Sequence, residues 1–431
     1  MLYDNLGINE RGHLTIGGLD TTDLAEQFGA PLYVLDEDRV RANCRTYVRA
    51  LAEYMPAGSM PLFAGKALCF KGLYPVLDSE GMGADVVSPG EIYTALAGGF
   101  PADKLYFHGN NKTDEDIVYA LENGVGCFIV DNHNELDRLD QLAGERGIRQ
   151  KVLLRVTPGI DPHTLQAINT GRIDCQFGVP IETGQAARFV QAAVGKANLE
   201  IMGFHSHIGS QIFEAEPFCD AVDILLAFAQ RMREDLGFTV QVLNLGGGFG
   251  VRYQESDPSV DIAGNIQKLS RHLRDGCAAL DYPVPRVLLE PGRSIVADAC
   301  LTLYEAGGVK TIEGYRSYVT VNGGMTDNPR YALYRSAYTV LPAGRMNDKA
   351  DFVCTVAGRC CESGDLIQEN ILLPEPRRGD LLAVLTTGAY NFSMASNYNR
   401  LCRPALVMVS DGAARLAVRR QSFEDLAACD L

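Results

Sequence analysis

Residues 104–131 read KLYFHGNNKTDEDIVYALENGVGCFIVD and contain the repeating unit of the chain. An apolar run, KLYFHG, is followed by DEDIVYALENG, which has the apolar spacing of a helix, and then by a second apolar run, GCFIVD. Short, almost continuous apolar runs separated by helices are typical of parallel strands that are covered on both faces. The stretch therefore predicts two parallel strands joined by a helix.

The same alternation extends in both directions, from about residue 60 to residue 296, with helical stretches such as KGLYPVLDSE, GEIYTALAGG and ELDRLDQLAGE. The strand-like runs are PLFAGK, ADVVS, KLYFHG, GCFIVD, KVLLRVTPG, EIMGFHSHIG, QVLNLGGG and RVLLEPG. Eight parallel strands with intervening helices fit a closed, TIM-like (β/α)8 barrel. An open, doubly wound sheet has the same local pattern and remains an alternative.

The pattern changes after about residue 297, where β-rich runs are split by Gly, Pro and Asn: SYVTVNGG, DFVCTVAG, DLLAVLTTGAY and ALVMVSDG. These runs predict an antiparallel β-domain. HLTIGG and PLYVLDE, which precede the barrel, are also strand-like. The predicted fold is thus α/β, with a barrel domain over residues 36–296 and a β-domain formed by residues 1–35 and 297–431.

Charge and composition exclude several classes of partner. The chain has 39 basic and 54 acidic residues, a net charge of −15, and no basic stripe, which argues against nucleic acid as a main partner. It has no basic leader followed by an apolar run and no uninterrupted apolar stretch of about eighteen residues, so we predict no membrane contact and a cytoplasmic location.

The twelve cysteines lie far apart, except for the neighbours Cys360 and Cys361. No C-x-x-C pair occurs, and the seven histidines do not have zinc-like spacing. We therefore expect reduced, mostly buried thiols and no metal site.

Polar residues and glycines cluster where the predicted barrel strands end, which is where barrel enzymes carry their chemistry. Lys66 ends the first run within the apolar segment FAGKAL, where desolvation would disfavour its charge and leave an amine nucleophile. A lysine whose charge reaches solvent or an acidic partner is the structural alternative. His207 follows the sixth run and could stack on a ring or transfer protons, or be an ordinary core histidine.

Gly246, Gly247 and Gly248 follow the seventh run and resemble neither a Walker loop nor a dinucleotide fingerprint. Bare backbone N–H groups at a helix N-terminus could hold a phosphate there, although a plain tight turn is the alternative. After the eighth run, Glu290 and Arg293 flank Pro-Gly. They could form a structural ion pair, or Glu290 could bind a ring nitrogen while Arg293 binds an anion. An amine, a phosphate turn, an acid and a stacking histidine together predict a site for pyridoxal 5'-phosphate.

Nine segments of the sequence resemble those of a known family. The segments FAGKAL, GADVVSPGEIYTALAGGF, FHGNNK, FHSHIGSQ, NLGGGFG, EPGR, DNPRYALY, CCESGD and GAYNFSMASNYNR resemble those of diaminopimelate decarboxylases, in the alanine-racemase-like group of pyridoxal-phosphate enzymes. The resemblance implies a barrel with a C-terminal β-domain, a homodimer with shared active sites, and a small amino-acid substrate.

The resemblance also implies the residues that bind the cofactor. They are Lys66, His207, Ser210, Gly247, Gly248, Glu290, Gly292, Arg293 and Tyr390. Lys66 would hold the cofactor as a Schiff base, His207 would stack on its ring, and Glu290 would pair with the ring nitrogen.

Substrate contacts carried over in the same way are Arg293, Arg330, Tyr334, Glu362 and Tyr390. Cys361 and Glu362 would reach the site of the partner chain, as general acid and as ligand for the distal ammonium. Cys360 is expected only to pack.

The implied reaction is decarboxylation of meso-2,6-diaminopimelate to L-lysine and CO2, the last step of lysine biosynthesis. Arg293 and Arg330 can pair with the distal carboxylate of that substrate, which lysine, ornithine and arginine lack. A related decarboxylase acting on carboxynorspermidine, ornithine or arginine is the alternative enzyme. A catalytically inactive homologue that binds a partner protein is the alternative of another class, although Lys66 and Cys361 argue against it.

Overall fold

The structure, a computed structural model, describes residues 1–160 and 174–431. The chain forms two compact units. The β-domain unit comprises Met1–Asn43, Val251–Pro258 and Arg293–Leu431, and the barrel unit comprises Cys44–Gly250 and Ser259–Gly292. Within the residues described, no helix has both the length and the apolar character needed to span a bilayer. The domain boundaries given above from the sequence remain a prediction.

Short elements open the chain. They are β1 (Leu6–Ile8), β2 (Leu14–Ile16), β3 (Leu19–Asp20), α1 (Thr21–Phe28), β4 (Leu32–Asp36) and α2 (Glu37–Tyr54). The first three strands form a small antiparallel sheet. Asp20 then caps α1, because its side chain accepts a hydrogen bond from the Thr22 N–H at 2.8 Å.

The barrel unit contains parallel strands from all eight predicted apolar runs. They are β5 (Met60–Ala64), β6 (Gly83–Val86), β7 (Leu105–Phe107), β8 (Cys127–Val130), β9 (Gln150–Thr157), β11 (Leu199–His205), β12 (Val242–Asn244) and β13 (Arg286–Leu289), with the two-residue strand β10 (Val179–Pro180) beside β9. Hydrogen bonds between β13 and β5 close the cylinder. The closed barrel is therefore confirmed, and the open-sheet alternative is wrong.

Helices connect these strands. They are α3 (Tyr74–Ser79), α4 (Pro89–Ala97), α5 (Asp114–Glu122), α6 (His133–Glu145), α7 (Gln185–Val194), α8 (Glu216–Leu236) and α9 (Ile262–Ala279). The sequence specifies where α5 starts, because the side chains of Thr113 and Asp116 form a reciprocal capping box.

The inside of the barrel changes character along its axis. One buried layer is apolar and consists of Leu62, Tyr106, Cys127, Ile129, Leu153, Val242 and Leu288. At the C-terminal ends of the strands, the buried side chains are instead polar: Asp85, His108, His205, Asn244 and Glu290. Burying polar groups is costly unless they bind one another or a ligand, so this end of the barrel is the candidate site.

The remaining elements belong to the β-domain unit. They are α10 (Arg293–Val296), β14 (Cys300–Ile312), β15 (Arg316–Val321), α11 (Arg330–Tyr334), β16 (Val340–Pro342), β17 (Phe352–Ala357), β18 (Leu366–Leu373), β19 (Leu381–Leu385), β20 (Ala405–Ser410), β21 (Ala413–Val418) and α12 (Phe423–Ala427). The main sheet has the order β18-β17-β15-β14-β4-β20-β21.

The sequence predicts an antiparallel β-domain, but this sheet contains both parallel and antiparallel pairs. The β4–β20 and β15–β17 pairs are parallel. Parallel neighbours need long connections, and a large part of the chain separates β4 from β20, while α11 and β16 separate β15 from β17. Local sequence patterns carry no information about such distant pairings.

Candidate active site

Lys66 lies in a short 3₁₀ turn, Gly65–Ala67, immediately after β5. Its neighbours Gly65 and Ala67 are buried, but Lys66 is exposed. The prediction that apolar flanks desolvate the amine is therefore wrong for this structure, because the turn carries the side chain out of the apolar layer. The lysine instead interacts electrostatically with Asp85 and Glu91 on the neighbouring β6–α4 segment.

Glu290 follows β13 and is held by three buried side chains. His108 Nε2 lies 2.9 Å from Glu290 Oε1, Asn244 Nδ2 donates to Oε1 at 2.6 Å, and His205 Nε2 lies 3.2 Å from Oε2. Burial alone would raise the pKa of this carboxyl, but the two histidines lower it well below its usual value. Glu290 is therefore an anion with a fixed orientation.

The ligand atoms of His108, His205 and Glu290 all lie within 4.8 Å of one another, which is also compatible with a metal ion. His205 Nε2 is hydrogen-bonded to Glu290 at 3.2 Å, whereas the 2.9 Å contact of His108 Nε2 with Glu290 has ion-pair distance but not hydrogen-bond geometry.

His207, after β11, has its ring fixed by a backbone group. The Gly247 N–H donates to His207 Nδ1 at 3.2 Å, so Nδ1 is the unprotonated nitrogen of the ring. Burial and the charges of Lys66 and Arg155 lower the pKa of His207 well below its ordinary value. The ring is therefore neutral at physiological pH, which is compatible with the predicted stacking on an aromatic cofactor.

The glycine run forms a turn that no side chain could replace. Gly246 and Gly248 have φ angles of +69° and +126°, and a Cβ at Gly247 would lie 2.1 Å from the Glu290 carbonyl oxygen. Gly248 packs equally closely on the loop after β11, where a Cβ would lie 2.5 Å from the carbonyl oxygen of Gly209. The turn therefore lies against the segment that carries Ser210.

The helix N-terminus expected beside this turn is absent from that position, because α9 begins only at Ile262. The segment between the glycines and α9 includes Val251–Pro258, which belongs to the β-domain unit. Any phosphate contact of the turn would therefore come from loop backbone rather than from a helix.

The turn after β13 packs against the end of β5. The Ala64 N–H donates to the Pro291 carbonyl oxygen at 3.1 Å, and a Cβ at Gly292 would lie 2.9 Å from the Cβ of Ala64. This contact fixes the Glu290 segment beside the turn that carries Lys66, so the barrel brings together the predicted amine, acid, histidine and glycines.

The β-domain unit contains a second group of predicted residues. Arg293 and Arg330 both donate to the hydroxyl of Tyr253, at 2.6 and 3.0 Å, and Arg330 also donates to Tyr338 at 3.0 Å. The Arg293 guanidinium lies 4.9 Å from the centroid of the Tyr390 ring. Burial would raise the pKa of Tyr253, but the two arginines lower it. This arrangement concentrates positive charge in a buried position.

The RCCESGD loop is organised by Asp365. Its carboxylate accepts hydrogen bonds from the N–H groups of Met325 and Cys360, at 2.6 and 2.7 Å. Cys360 is buried and burial raises the pKa of its thiol to about 11, which is consistent with packing. Cys361 is exposed, and its N–H donates to Asn399 Oδ1 at 2.7 Å.

Two predicted residues have less defined surroundings. The exposed Glu362 accepts weak hydrogen bonds from Ser363 and Gly364, both at 3.3 Å. Tyr334 ends α11 and is 36% exposed. The roles of both residues remain predictions.

Sequence reasoning missed several members of both groups. In the barrel these are Asp85, His108, His205 and Asn244, and in the β-domain Tyr253 and Tyr338. A signal existed for the barrel residues, since each is a polar residue at or near the end of an apolar run, as in GADVVS, KLYFHG and QVLNLGGG.

Pyridoxal phosphate, the cofactor predicted from the sequence, fits the barrel residues. The exposed amine of Lys66 is able to react with an aldehyde, and the turn at Gly247 and Gly248 presents backbone without side chains. The buried anion Glu290 matches a protonated pyridine nitrogen, and the neutral ring of His207 matches an aromatic face.

Comparisons with known proteins agree with this assignment. Residues 37–297 match the family model described as pyridoxal-dependent decarboxylase, pyridoxal binding domain. The chain is 42% identical over 425 residues to diaminopimelate decarboxylase of Bacillus subtilis, covering 98% of this chain and 96% of the relative. Solved structures are similar as well, and two of them are described next.

The first is diaminopimelate decarboxylase from M. jannaschii in complex with L-lysine, with a TM-score of 0.90, 32% identity and coverage of 99% and 98%. The second is lysine/ornithine decarboxylase from Vibrio vulnificus with putrescine, with a TM-score of 0.75, 26% identity and coverage of 90% and 97%. The resemblance inferred from sequence motifs is confirmed: the chain belongs to the diaminopimelate decarboxylase family of pyridoxal-dependent decarboxylases.

Proposed function

We propose that the chain uses pyridoxal phosphate to decarboxylate meso-2,6-diaminopimelate to L-lysine and CO2, as a homodimer. Family membership and the L-lysine bound to the M. jannaschii relative support the reaction. The observation that carries the choice of substrate is Arg330, a buried guanidinium whose hydrogen-bond partners are tyrosines. The cytoplasmic location remains a prediction from the sequence.

The barrel unit holds the cofactor in this proposal. The Lys66 amine would bind it covalently, the Gly247–Gly248 turn, Ser210 and Tyr390 would contact its phosphate, and His207 would stack on its ring. When bound, pyridoxal phosphate accepts into its ring the electron pair that CO2 leaves behind.

Glu290 would keep a proton on the ring nitrogen of the bound cofactor. Its low pKa means that the carboxylate is an anion at physiological pH, and an anion beside a pyridine nitrogen favours the protonated ring. His108, Asn244 and His205 prevent the carboxylate from rotating away. A protonated ring is the stronger electron acceptor, so this contact favours loss of CO2.

Arg330 recognises the distal carboxylate of the substrate. It is 6% exposed, and no carboxylate among the described residues lies within ion-pair distance of it. A buried cation without a counter-ion is costly, and a substrate carboxylate would neutralise it. Arg293, which shares the Tyr253 hydroxyl with Arg330, adds to the attraction.

Cys361 and Glu362 act on the substrate in the partner's site. The loop that carries them is fixed by Asp365 and Asn399 while both side chains remain exposed, as residues that reach another chain must be. Cys361 would give its thiol proton to Cα of the substrate once CO2 has left, and Glu362 would bind the distal ammonium. Lys66 would then replace the product amine on the aldehyde carbon of the cofactor, so that the product leaves as a free amine.

The reaction is tested by measuring CO2 release from meso-diaminopimelate, lysine, ornithine and arginine. We expect diaminopimelate to be preferred by roughly 10²- to 10³-fold in kcat/KM, since the other substrates leave a buried guanidinium unpaired. In Arg330→Gln this preference should largely disappear. Arg335→Gln, which removes an exposed arginine next to α11, is the matched control and should behave like the wild type.

Equal release from all four substrates would contradict the choice of substrate and favour the related decarboxylases that act on monocarboxylic amino acids. The similarity to the lysine/ornithine decarboxylase makes that comparison necessary.

The shared site predicts that two inactive variants restore each other. Chains with Lys66→Ala and chains with Cys361→Ala should each be nearly inactive, whereas after random exchange about one quarter of wild-type activity should return. The reason is that half of the dimers are mixed and each mixed dimer retains one complete site. Activity and subunit exchange are measured together, with differently tagged chains.

No recovery despite demonstrated exchange would show that both residues act in one subunit, or that Cys361 has no role. Cys429→Ala, which removes another exposed cysteine, should leave activity unchanged.

A further inference from the structure

Glu290 and the four buried polar side chains nearest to it are here called the Glu290 cluster. Its members are Asp85, His108, His205, Asn244 and Glu290. All five are buried, with exposed fractions of 2%, 5%, 1%, 0% and 7%. Asp85, His205 and Asn244 lie on β6, β11 and β12, and His108 and Glu290 follow the ends of β7 and β13. The cluster therefore has little contact with solvent.

The two carboxyl groups of the cluster have opposite properties. Burial raises the pKa of Asp85, whereas the histidines lower that of Glu290. His108 Nε2 lies 2.9 Å from Glu290 but 3.8 Å from Asp85, so it pairs with Glu290. Environments that separate two titratable groups in this way assign the negative charge to one of them, which here is Glu290.

Charged groups beyond the cluster also face it. Arg155 on β9 and Lys66 after β5 both interact electrostatically with Asp85, and Arg155 also acts on His205. Burial lowers the pKa of His205 to about 4, so this ring is neutral at physiological pH and reaches Glu290 through its Nε2–H. The neutral histidine supplies a hydrogen bond without neutralising the carboxylate.

The cluster is poorly optimised for stability. Within the described residues, His108 Nε2, His205 Nδ1 and Asp85 Oδ1 are buried without a hydrogen-bond partner, although His108 Nε2 lies at ion-pair distance from Glu290. Unsatisfied buried polar atoms are destabilising, and apolar side chains would pack this end of the barrel at lower cost. A requirement for a fixed carboxylate explains the polar cluster, whereas packing does not.

We propose that His108 and His205 are positioning residues that hold the Glu290 carboxylate as an anion, in the orientation that faces the ring nitrogen of the cofactor. The proposal rests on the proposed function in placing that nitrogen at Glu290. Asn244 and His108 both contact Oε1 of Glu290, and His205 contacts Oε2. The two histidines therefore contact both oxygens of the carboxylate.

The test is nitrogen-15 NMR of the holoenzyme reconstituted with pyridoxal phosphate labelled at the ring nitrogen. In the wild type we expect the upfield signal of a protonated pyridine. In the double variant His108→Asn/His205→Asn we expect a downfield shift, because asparagine ends near the Nδ1 position and does not reach Glu290. In His108→Gln/His205→Gln the signal should stay upfield, because glutamine places an N–H near Nε2.

Turnover of diaminopimelate provides a second readout. We expect kcat of the asparagine pair to fall about 10- to 100-fold with little change in KM, and the glutamine pair to stay within about threefold of the wild type. A purely structural role would change stability and cofactor content but not the protonation of the ring. His272→Gln, which removes an exposed histidine paired with Asp223 at 2.7 Å, is the control.

A protonated ring nitrogen in the asparagine pair would overturn the proposal, as would loss of the proton in the glutamine pair. If the asparagine pair does not fold, loss of the proton in the glutamine pair would still overturn the proposal. The NMR experiment needs bound cofactor but no turnover. It would therefore still give a result if the chain failed to decarboxylate diaminopimelate.

Discussion

Replacing Lys66 with alanine is expected to lower kcat by roughly 10⁴- to 10⁶-fold, the scale observed when a covalently acting residue is removed. Lys66 is the exposed amine at the end of β5, and its charge acts on Asp85, Glu91 and His207. Without it the cofactor would be held only by non-covalent contacts, and the step that releases product would lose its amine. The measurement is CO2 release from diaminopimelate.

Borohydride reduction provides a direct check of the same residue. In the wild type, reduction in the presence of pyridoxal phosphate should add the cofactor mass to the peptide that contains Lys66, and the Lys66→Ala chain should stay unlabelled. Lys71→Ala, which removes an exposed lysine five positions later, should retain both labelling and activity. A wild-type chain that is colourless and unlabelled would support the alternative of an inactive binding protein.

Replacing Glu290 with glutamine is expected to lower kcat by about 10²- to 10³-fold, the usual effect of removing one preorganised electrostatic contact. Glutamine has nearly the same shape, but its neutral amide would not favour a proton on the ring nitrogen. KM should change little, because Arg330 lies in the β-domain unit and pairs with tyrosines there. Steady-state kinetics on diaminopimelate separate the two constants.

The matched control for this variant is Glu234→Gln, an exposed acid on α8 that accepts a hydrogen bond from Gln230 at 2.6 Å. Thermal unfolding of both variants would show whether the buried amide disturbs the barrel. A Glu290→Gln enzyme with unchanged kcat would remove Glu290 from the proposed mechanism, and the positioning role of the histidines with it.

Much of the fold could be predicted because parallel strands buried on both faces are locally distinctive. KLYFHG and GCFIVD predicted β7 and β8 from composition alone. Closure of the barrel was not predictable locally, since it depends on β13 pairing with β5 across the whole unit. The parallel pairing of β4 with β20 was missed for the same reason.

The candidate site was predictable in part. Motifs at strand ends led to Lys66, His207 and Glu290, but the sequence could not show which side chains hold Glu290. His108 and His205 are single polar residues at the ends of apolar runs, and their partnership exists only once β7, β11 and β13 meet in space. The exposure of Lys66 was mispredicted because flanking residues do not determine where a turn directs a side chain.

Strand β4 is synthesised before the barrel, whereas the strands that pair with it are synthesised after the barrel. This strand is fully buried in the middle of a sheet, yet both of its partners, β14 and β20, leave the ribosome only after the entire barrel sequence. While the barrel is being translated, the apolar strand β4 therefore lacks both of its sheet partners, and an unpaired apolar strand edge is prone to aggregation. The main sheet of the β-domain can therefore be completed only after the barrel sequence has been synthesised.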